Sequence, residues 1–132
     1  MQYKPKKYLD DTMQEIGEFL GKFKTLVKNR KFVIPQNDKR INNRQFIQKY
    51  HLSLKKQMQM LLEIQVTDFC YSIDNDKDSS ERLYVFLKEY YLDNWGIVEK
   101  VAVYIKIVIK IEDYTVIISF HEPQKSIKKL FI

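Results

Sequence analysis

The chain has 132 residues, a hydrophobic fraction of 45% and a formal net charge of +6. This length suits one domain, and the apolar content, with only 3 Gly and 3 Pro, excludes a disordered or collagen-like chain. The positive charge favours a polyanionic partner, which is nucleic acid, an anionic membrane surface or an acidic protein.

The cysteine content and the apolar runs predict a cytoplasmic protein with no membrane partner. Cys70 is the only cysteine, so no intrachain disulfide can form and nothing favours secretion. The lysines of residues 1–11 are not followed by an apolar run, so this segment is not expected to be a signal peptide. Every apolar run is far shorter than the roughly 20 residues that cross a bilayer.

Helical spacing marks the first half of the chain. An apolar stripe from Met13 to Val27 predicts a first helix, and Thr12 and Glu15 fit a capping box at its start. Residues 31–35, KFVIP, then predict a short strand that Pro35 stops.

Two shorter helices are predicted next. One is centred on Phe46 and Ile47, and Ser53 caps the other. The inward face of this third helix is expected to carry Leu54, Met58, Leu61 and Leu62. Residues 67–72, TDFCYS, suggest one more helical turn capped by Thr67 or Asp68. Residues 73–81 have the composition of a loop.

The second half is rich in β-branched and aromatic residues. Residues 82–91, 101–111 and 114–121 predict strands of an antiparallel meander. Helices followed by such a meander indicate an α+β fold, with N-terminal helices packed on a C-terminal antiparallel sheet.

We expect a single domain over residues 1–132, built from four parts. These are an N-terminal arm (1–11), a mainly helical half (12–72), a sheet half (73–122) and a basic tail (123–132). The tail fits either a short amphipathic helix that docks on the domain or a partner, or a loosely ordered terminus.

The turn near Glu112 and Asp113 sets the register between the last two strands. A loop of two or four residues keeps apolar residues opposite apolar residues, whereas an odd-length loop does not. The even loop pairs Ile111 with Tyr114, Ile109 with Val116, Ile107 with Ile118 and Ile105 with Phe120.

The same register places Tyr104 opposite His121 and Lys106 opposite Ser119. Directly opposed Cβ atoms lie about 4.5–5.5 Å apart, so four polar groups converge on one patch. An imidazole exchanges protons near neutral pH, and a cation with a phenol can hold a phosphate. Such a set suits attack of an RNA 2′-OH on its neighbouring phosphate without a metal. The alternative is a polar sheet face that water solvates.

Three motifs in order, VTDFCYS, VYIKI and VIISFHE, resemble the MqsR family of toxins from bacterial type II toxin–antitoxin systems. That resemblance implies a RelE-like fold and metal-free, sequence-selective mRNA cleavage without a cofactor. It also implies control by a cognate antitoxin protein.

The resemblance transfers to individual positions. Tyr104 and Lys106 match family residues, and His121 lies where founding members carry a catalytic lysine. Tyr71 stands where those members carry a lysine and Val85 where they carry a glutamine, so two catalytic positions are not matched.

Roles are therefore expected as follows. His121 is the general acid or base, Tyr104 assists proton transfer and Lys106 holds the scissile phosphate. Candidates for substrate contact are Tyr71, Arg82, Lys88 and Ser119. The unmatched positions leave open a non-catalytic module of the same fold that binds RNA or protein.

The strand 82–91 has an aromatic face that suits core packing or, with Lys88, the stacking of bases.

No metal site is predicted: Asp74, Asp76 and Asp78 lack the glycine and the distal acid of a calcium loop. Cys70 follows Phe69 in an apolar turn and is expected to be buried.

Overall fold

Three helices pack on a six-stranded sheet in the computed structural model, which describes residues 5–78 and 80–132. The helices are α1 (Met13–Lys28), α2 (Ile41–Lys49) and α3 (Leu54–Leu62). The strands are β1 (Lys7–Tyr8), β2 (Phe32–Val33), β3 (Phe69–Asp74), β4 (Arg82–Asn94), β5 (Ile97–Lys110) and β6 (Tyr114–His121). The prediction of an α+β fold is confirmed.

The strands lie in the order β1-β3-β4-β5-β6-β2, and all neighbours are antiparallel except the parallel pair β2 and β6. The helices cover one face, where α1, α2 and α3 share a core with the apolar residues of β3 to β6. The opposite face, which carries Tyr104 and Lys106, is called the outer face below. None of the helices in residues 5–78 and 80–132 is long and apolar enough to span a membrane.

The predicted caps of α1 and α3 are present. The Thr12 side chain accepts a hydrogen bond from the Glu15 N–H at 3.1 Å, and the Glu15 carboxylate accepts one from the Thr12 N–H at 2.9 Å. The Ser53 hydroxyl accepts from the Lys56 N–H at 3.1 Å. The inward face of α3 differs from the prediction, because Leu54 is 50% exposed and Met60 is fully buried.

Residues 67–72 do not form the predicted helical turn. A 3₁₀ turn over Val66–Asp68 is followed directly by β3, and Gln65 rather than Thr67 or Asp68 is its N-cap. The strand forms because Phe69 and Cys70 are buried while the backbone pairs with β4. A short apolar run fits a strand and a helix equally well by periodicity, so packing decides between them.

β4 and β5 are longer than predicted and join through a two-residue turn. Trp95 and Gly96 both have positive φ, at 53° and 88°. Two consecutive positive φ values give the type I′ turn, whose twist matches that of the flanking strands. The Asp93 carboxylate also accepts a hydrogen bond from the Gly96 N–H at 2.8 Å, which fixes the turn.

The predicted contacts of the polar patch are confirmed, but the predicted loop is wrong. Tyr104 pairs with His121, and Lys106 pairs with Ser119. The loop is an odd one of three residues, Ile111–Asp113, because Asp113 adopts φ 62° and closes it. Beyond Lys106 the observed pairs are therefore Ile107 with Ile117, Val108 with Val116, Ile109 with Thr115 and Lys110 with Tyr114.

A bulge in β6 reconciles the odd loop with the polar pairs. The register shifts between Lys106 and Ile107, so that Ile118 is an extra residue on β6. The Asn43 amide, from α2, donates to the Ile118 carbonyl at 3.0 Å and to the Pro35 carbonyl at 3.0 Å. Its oxygen accepts from the Phe120 N–H at 2.8 Å. Asn43 is 1% exposed and satisfies the backbone groups on both sides of the bulge.

Replacing Asn43 with alanine should destabilise the fold by about 2–4 kcal/mol, because a buried N–H and carbonyl lose their partners. The free energy of unfolding is measured by urea titration. The matched control is Asn42→Ala, one residue earlier on α2, where the side chain is exposed and a change within about 0.5 kcal/mol is expected. Equal stability of the two variants would refute this role of Asn43.

Candidate functional site

Tyr104 and His121 form a ring pair on the outer face. Their ring centroids lie 5.8 Å apart with an interplanar angle of 30°. Lys106 and Ser119 form the next pair along the same two strands. All four side chains share the outer face because residues two apart on a strand point the same way.

The hydrogen bond of His121 fixes its tautomer. Nδ1 lies 2.8 Å from the backbone carbonyl oxygen of Glu122. A carbonyl oxygen only accepts, so Nδ1 carries the proton of the neutral ring and Nε2 holds the lone pair. Nε2 is therefore the atom that can take up a proton.

Tyr104 is held in its neutral form. Burial raises the pKa of Tyr104, and the adjacent Tyr71 hydroxyl, 3.4 Å from the Tyr104 hydroxyl, raises that pKa further. A neutral phenol is a hydrogen-bond donor. The Lys7 ammonium nitrogen lies 4.2 Å from the Tyr71 ring centroid.

Lys106 is a cation without a carboxylate partner among the described residues. Burial lowers the pKa of Lys106, the positive charges of Arg40 and Lys125 lower it further, and the negative charge of Asp76 offsets part of this effect. These shifts mean that the site favours an anion that would neutralise the ammonium group.

A cavity of about 240 Å³ opens onto this patch. Its lining includes the four predicted residues Tyr104, Lys106, Ser119 and His121. It also includes two cations that sequence reasoning missed, Arg40 and Lys125, and its described lining contains no carboxylate. The cavity therefore combines three cations, which can bind an anionic group, with a proton acceptor, which can take part in proton transfer.

The two missed cations come from irregular segments. Arg40 ends a 3₁₀ turn, Asp38–Arg40, that leads into α2, and Lys125 belongs to the C-terminal tail. Neither segment has a periodicity that indicates which way its side chains point. The basic composition of both segments is the only signal in the sequence.

Three predicted substrate contacts, Tyr71, Arg82 and Lys88, lie outside the cavity. Arg82 donates to the Ser72 hydroxyl at 2.8 Å, and its guanidinium lies 3.7 Å from the Tyr8 ring centroid. Lys88 faces the helices, where its ammonium nitrogen is 3.1 Å from an Asp68 carboxylate oxygen. Both cations already contact groups of the fold.

The other residues of β4 divide between the outer face and the core. Val85 is fully buried and pairs with Lys106 across the outer face, where it offers no polar group. Phe86 and Tyr90 are buried in the core with Tyr84 packed against them, which confirms core packing for the aromatic face. Tyr71 contacts the site through Tyr104.

Cys70 is buried as expected, with 1% exposure. Burial raises the pKa of its thiol to about 11. A raised pKa leaves little thiolate near neutral pH, which disfavours Cys70 as a nucleophile. Residues 5–78 and 80–132 contain no group of three or more His, Cys, Asp or Glu side chains that could hold a metal ion.

A larger cavity of about 990 Å³ lies beside α1. Its lining mixes cations with carboxylates, among them Glu15, Glu18 and Glu81. Carboxylates repel a polyanion. We therefore place the candidate site in the smaller cavity, although the cavity beside α1 is larger.

Comparisons with protein-family models, with curated proteins and with solved structures find no match to this chain. The likeness to the MqsR family thus stays an expectation from three short motifs.

Labelling of lysines by reductive methylation with ¹³C tests the electrostatics of the site. Lys106 and Lys24 should titrate below an ordinary lysine, because burial lowers the pKa of both. Added inorganic phosphate should move the titration of Lys106 to higher pH, since an anion stabilises the ammonium form.

Lys24 lies on α1, outside the candidate site, and serves as the matched control that phosphate leaves unchanged. A Lys106→Arg variant assigns the resonance. Equal displacement of both resonances by phosphate would mean that the cavity does not select anions.

Proposed function

We propose that this protein is a metal-independent endoribonuclease, an mRNA interferase that acts as the toxin of a type II toxin–antitoxin system in the cytoplasm. One observation carries the catalytic part. A histidine with a free ring nitrogen shares a cavity with three cations and no described carboxylate. The order of the three motifs supports the toxin assignment and a cognate antitoxin as partner.

The reaction needs only groups of the cavity. The RNA 2′-OH attacks the adjacent phosphorus, an O2′–P bond forms and the P–O5′ bond breaks. His121 Nε2 takes the 2′-OH proton, and the departing O5′ takes a proton from the neutral Tyr104 phenol. Proton transfer from the imidazolium to the phenolate restores both neighbouring rings. The products are a 2′,3′-cyclic phosphate and a 5′-OH.

Lys106 supplies charge stabilisation. The pentacoordinate phosphorus carries more negative charge on its oxygens than the starting diester does. A partly buried ammonium group such as that of Lys106 lowers the energy of that state more than an exposed one, because water screens it less. Removing one such stabilising group typically raises the activation free energy by about 2.7–4 kcal/mol.

A second candidate is a non-catalytic RNA-binding module of the same fold. Val85 is fully buried and apolar at the position where the resembling family has a catalytic glutamine. Tyr71 stands in place of a family lysine and contacts Tyr104. Such a module keeps the cations that bind phosphate but releases no cleavage product.

The chain offers a matched pair of histidines for testing catalysis. His121→Asn should lower RNA cleavage by about 10²- to 10⁴-fold, because the proton acceptor is lost. His51→Asn is the control: His51 packs edge-on against Trp95 at 4.7 Å and lies outside the cavity. Asparagine also tolerates the positive φ of 50° at His51.

Cleavage is followed on RNA oligonucleotides, with the cyclic phosphate end identified by mass spectrometry and growth arrest scored in a bacterial host. Equal loss in both variants would reject His121 as the proton acceptor. If the wild type binds RNA with a steep salt dependence and forms no product, the second candidate is correct.

A further inference from the structure

The C-terminal segment 122–132 runs from the end of β6 to the start of β3. The Leu130 N–H donates to the Phe69 carbonyl at 2.8 Å. β4 and β5 lie between β3 and β6, so the segment passes two strands, or about 14 Å at the usual strand spacing. Residues 122–129 extend to about 25 Å, which is ample for this path.

The far end of the segment is anchored by three kinds of contact. Besides the backbone hydrogen bond, the Lys129 ammonium lies 3.3 Å from the buried Asp68 carboxylate. The Phe131 ring stacks on Phe69, with centroids 5.9 Å apart and an angle of 26°. Both Leu130 and Phe131 pack against the main core. The segment is therefore a docked part of the domain rather than a helix or a loose terminus.

The middle of the segment lines the cavity of the candidate site. Gln124, Lys125 and Ile127 line it, between the end of β6 and the anchor at Phe69. Arg40 enters the same lining from the turn before α2, and Lys106 enters it from β5. Three separate elements therefore bring one cation each to the cavity.

No described carboxylate of the lining compensates these charges. Arg40 and Lys125 are each close enough to Lys106 to repel its ammonium group, and the Asp76 carboxylate, which is outside the lining, offsets part of that repulsion. Like charges held together by the fold gain most when an anion enters, since it relieves the repulsion as well as pairing with each cation.

We propose that the C-terminal segment forms part of the RNA-binding site. Its anchor at Phe69 holds Lys125 at the cavity, where Lys125 and Arg40 bind phosphates of the RNA backbone. This inference rests on the proposed function for the identity of the anion. Lys125 and Arg40 are substrate-binding residues, and Lys129 and Phe131 are positioning residues that act through Lys125.

Binding is measured by fluorescence anisotropy with a labelled 2′-O-methyl RNA of about ten nucleotides, which cannot be cleaved because it lacks the attacking hydroxyl. Lys125→Gln and Arg40→Gln should each weaken binding about 3- to 10-fold near 0.1 M salt and reduce the slope of log K against log salt by about 0.7. Lys128→Gln is the matched control, since it removes the same charge from an exposed side chain outside the cavity.

The anchor is tested by Phe131→Ala. Undocking the segment should weaken binding, and adding Lys125→Gln to it should then cause little further loss, because Lys125 has already left the cavity. Circular dichroism and a thermal melt check that the domain is folded. Lys129→Gln gives an independent variant if Phe131→Ala unfolds, and it should weaken binding more than Lys128→Gln does.

The outcomes separate this inference from the proposed reaction. If the wild type never cleaves RNA but Lys125→Gln and Arg40→Gln weaken RNA binding, the phosphate-binding site is supported. The proposed endoribonuclease activity is then rejected. Equal binding by the Lys125→Gln and Lys128→Gln variants overturns the role of the segment, even if the wild type cleaves RNA. Additive losses in the Phe131→Ala and Lys125→Gln double variant reject the anchor.

Discussion

The hydrogen bonds of the Asn43 carboxamide to the β6 bulge determine which side chains meet on the outer face. With the pairing that follows the three-residue loop, Tyr104 would lie opposite Phe120, and His121 would turn toward the helices. The extra residue in β6 reverses this alternation, so Phe120 enters the core and His121 turns outward. Because Asn43 satisfies the Ile118 carbonyl and the Phe120 N–H, the bulge leaves neither group unpaired.

Asn43 also links the hydrophobic core to the cavity of the candidate site. Asn43 belongs to α2, and α2 follows directly on the turn that ends in Arg40. The contact that fixes the direction of His121 therefore also fixes one of the cations around the cavity. Cations that repel one another cannot assemble a site by attraction, so each must be placed by its own element. The core of helices and sheet supplies the free energy that holds them together without a carboxylate.

Prediction from the sequence succeeded where periodicity and local caps decide the structure. The caps at Thr12 and Ser53 and the α+β order are confirmed, and so is the stripe of α1 from Ile16 to Val27, although Met13 at its start is exposed. The pairing of Tyr104 with His121 is also confirmed, but two departures from the expected hairpin cancel to produce it. An odd loop moves the register by one residue, and the bulge at Ile118 moves it back. Alternation alone cannot detect two compensating shifts, and the buried amide that permits them lies far away in the sequence.

The remainder of the site depends on segments that have no repeating pattern. Arg40 and Lys125 reach the cavity from a 3₁₀ turn and from an irregular segment, whereas Arg82 and Lys88, which lie on a regular strand, contact Asp11 and Asp68 of the fold. A strand predicts which face a lysine occupies, but not whether a carboxylate already pairs with it there. Availability of a cation is a tertiary property, since it depends on every element that packs nearby. For a site built from cations, the informative observation is therefore the absence of carboxylates from the described lining. That absence becomes visible only when the tertiary structure shows which side chains surround the cavity.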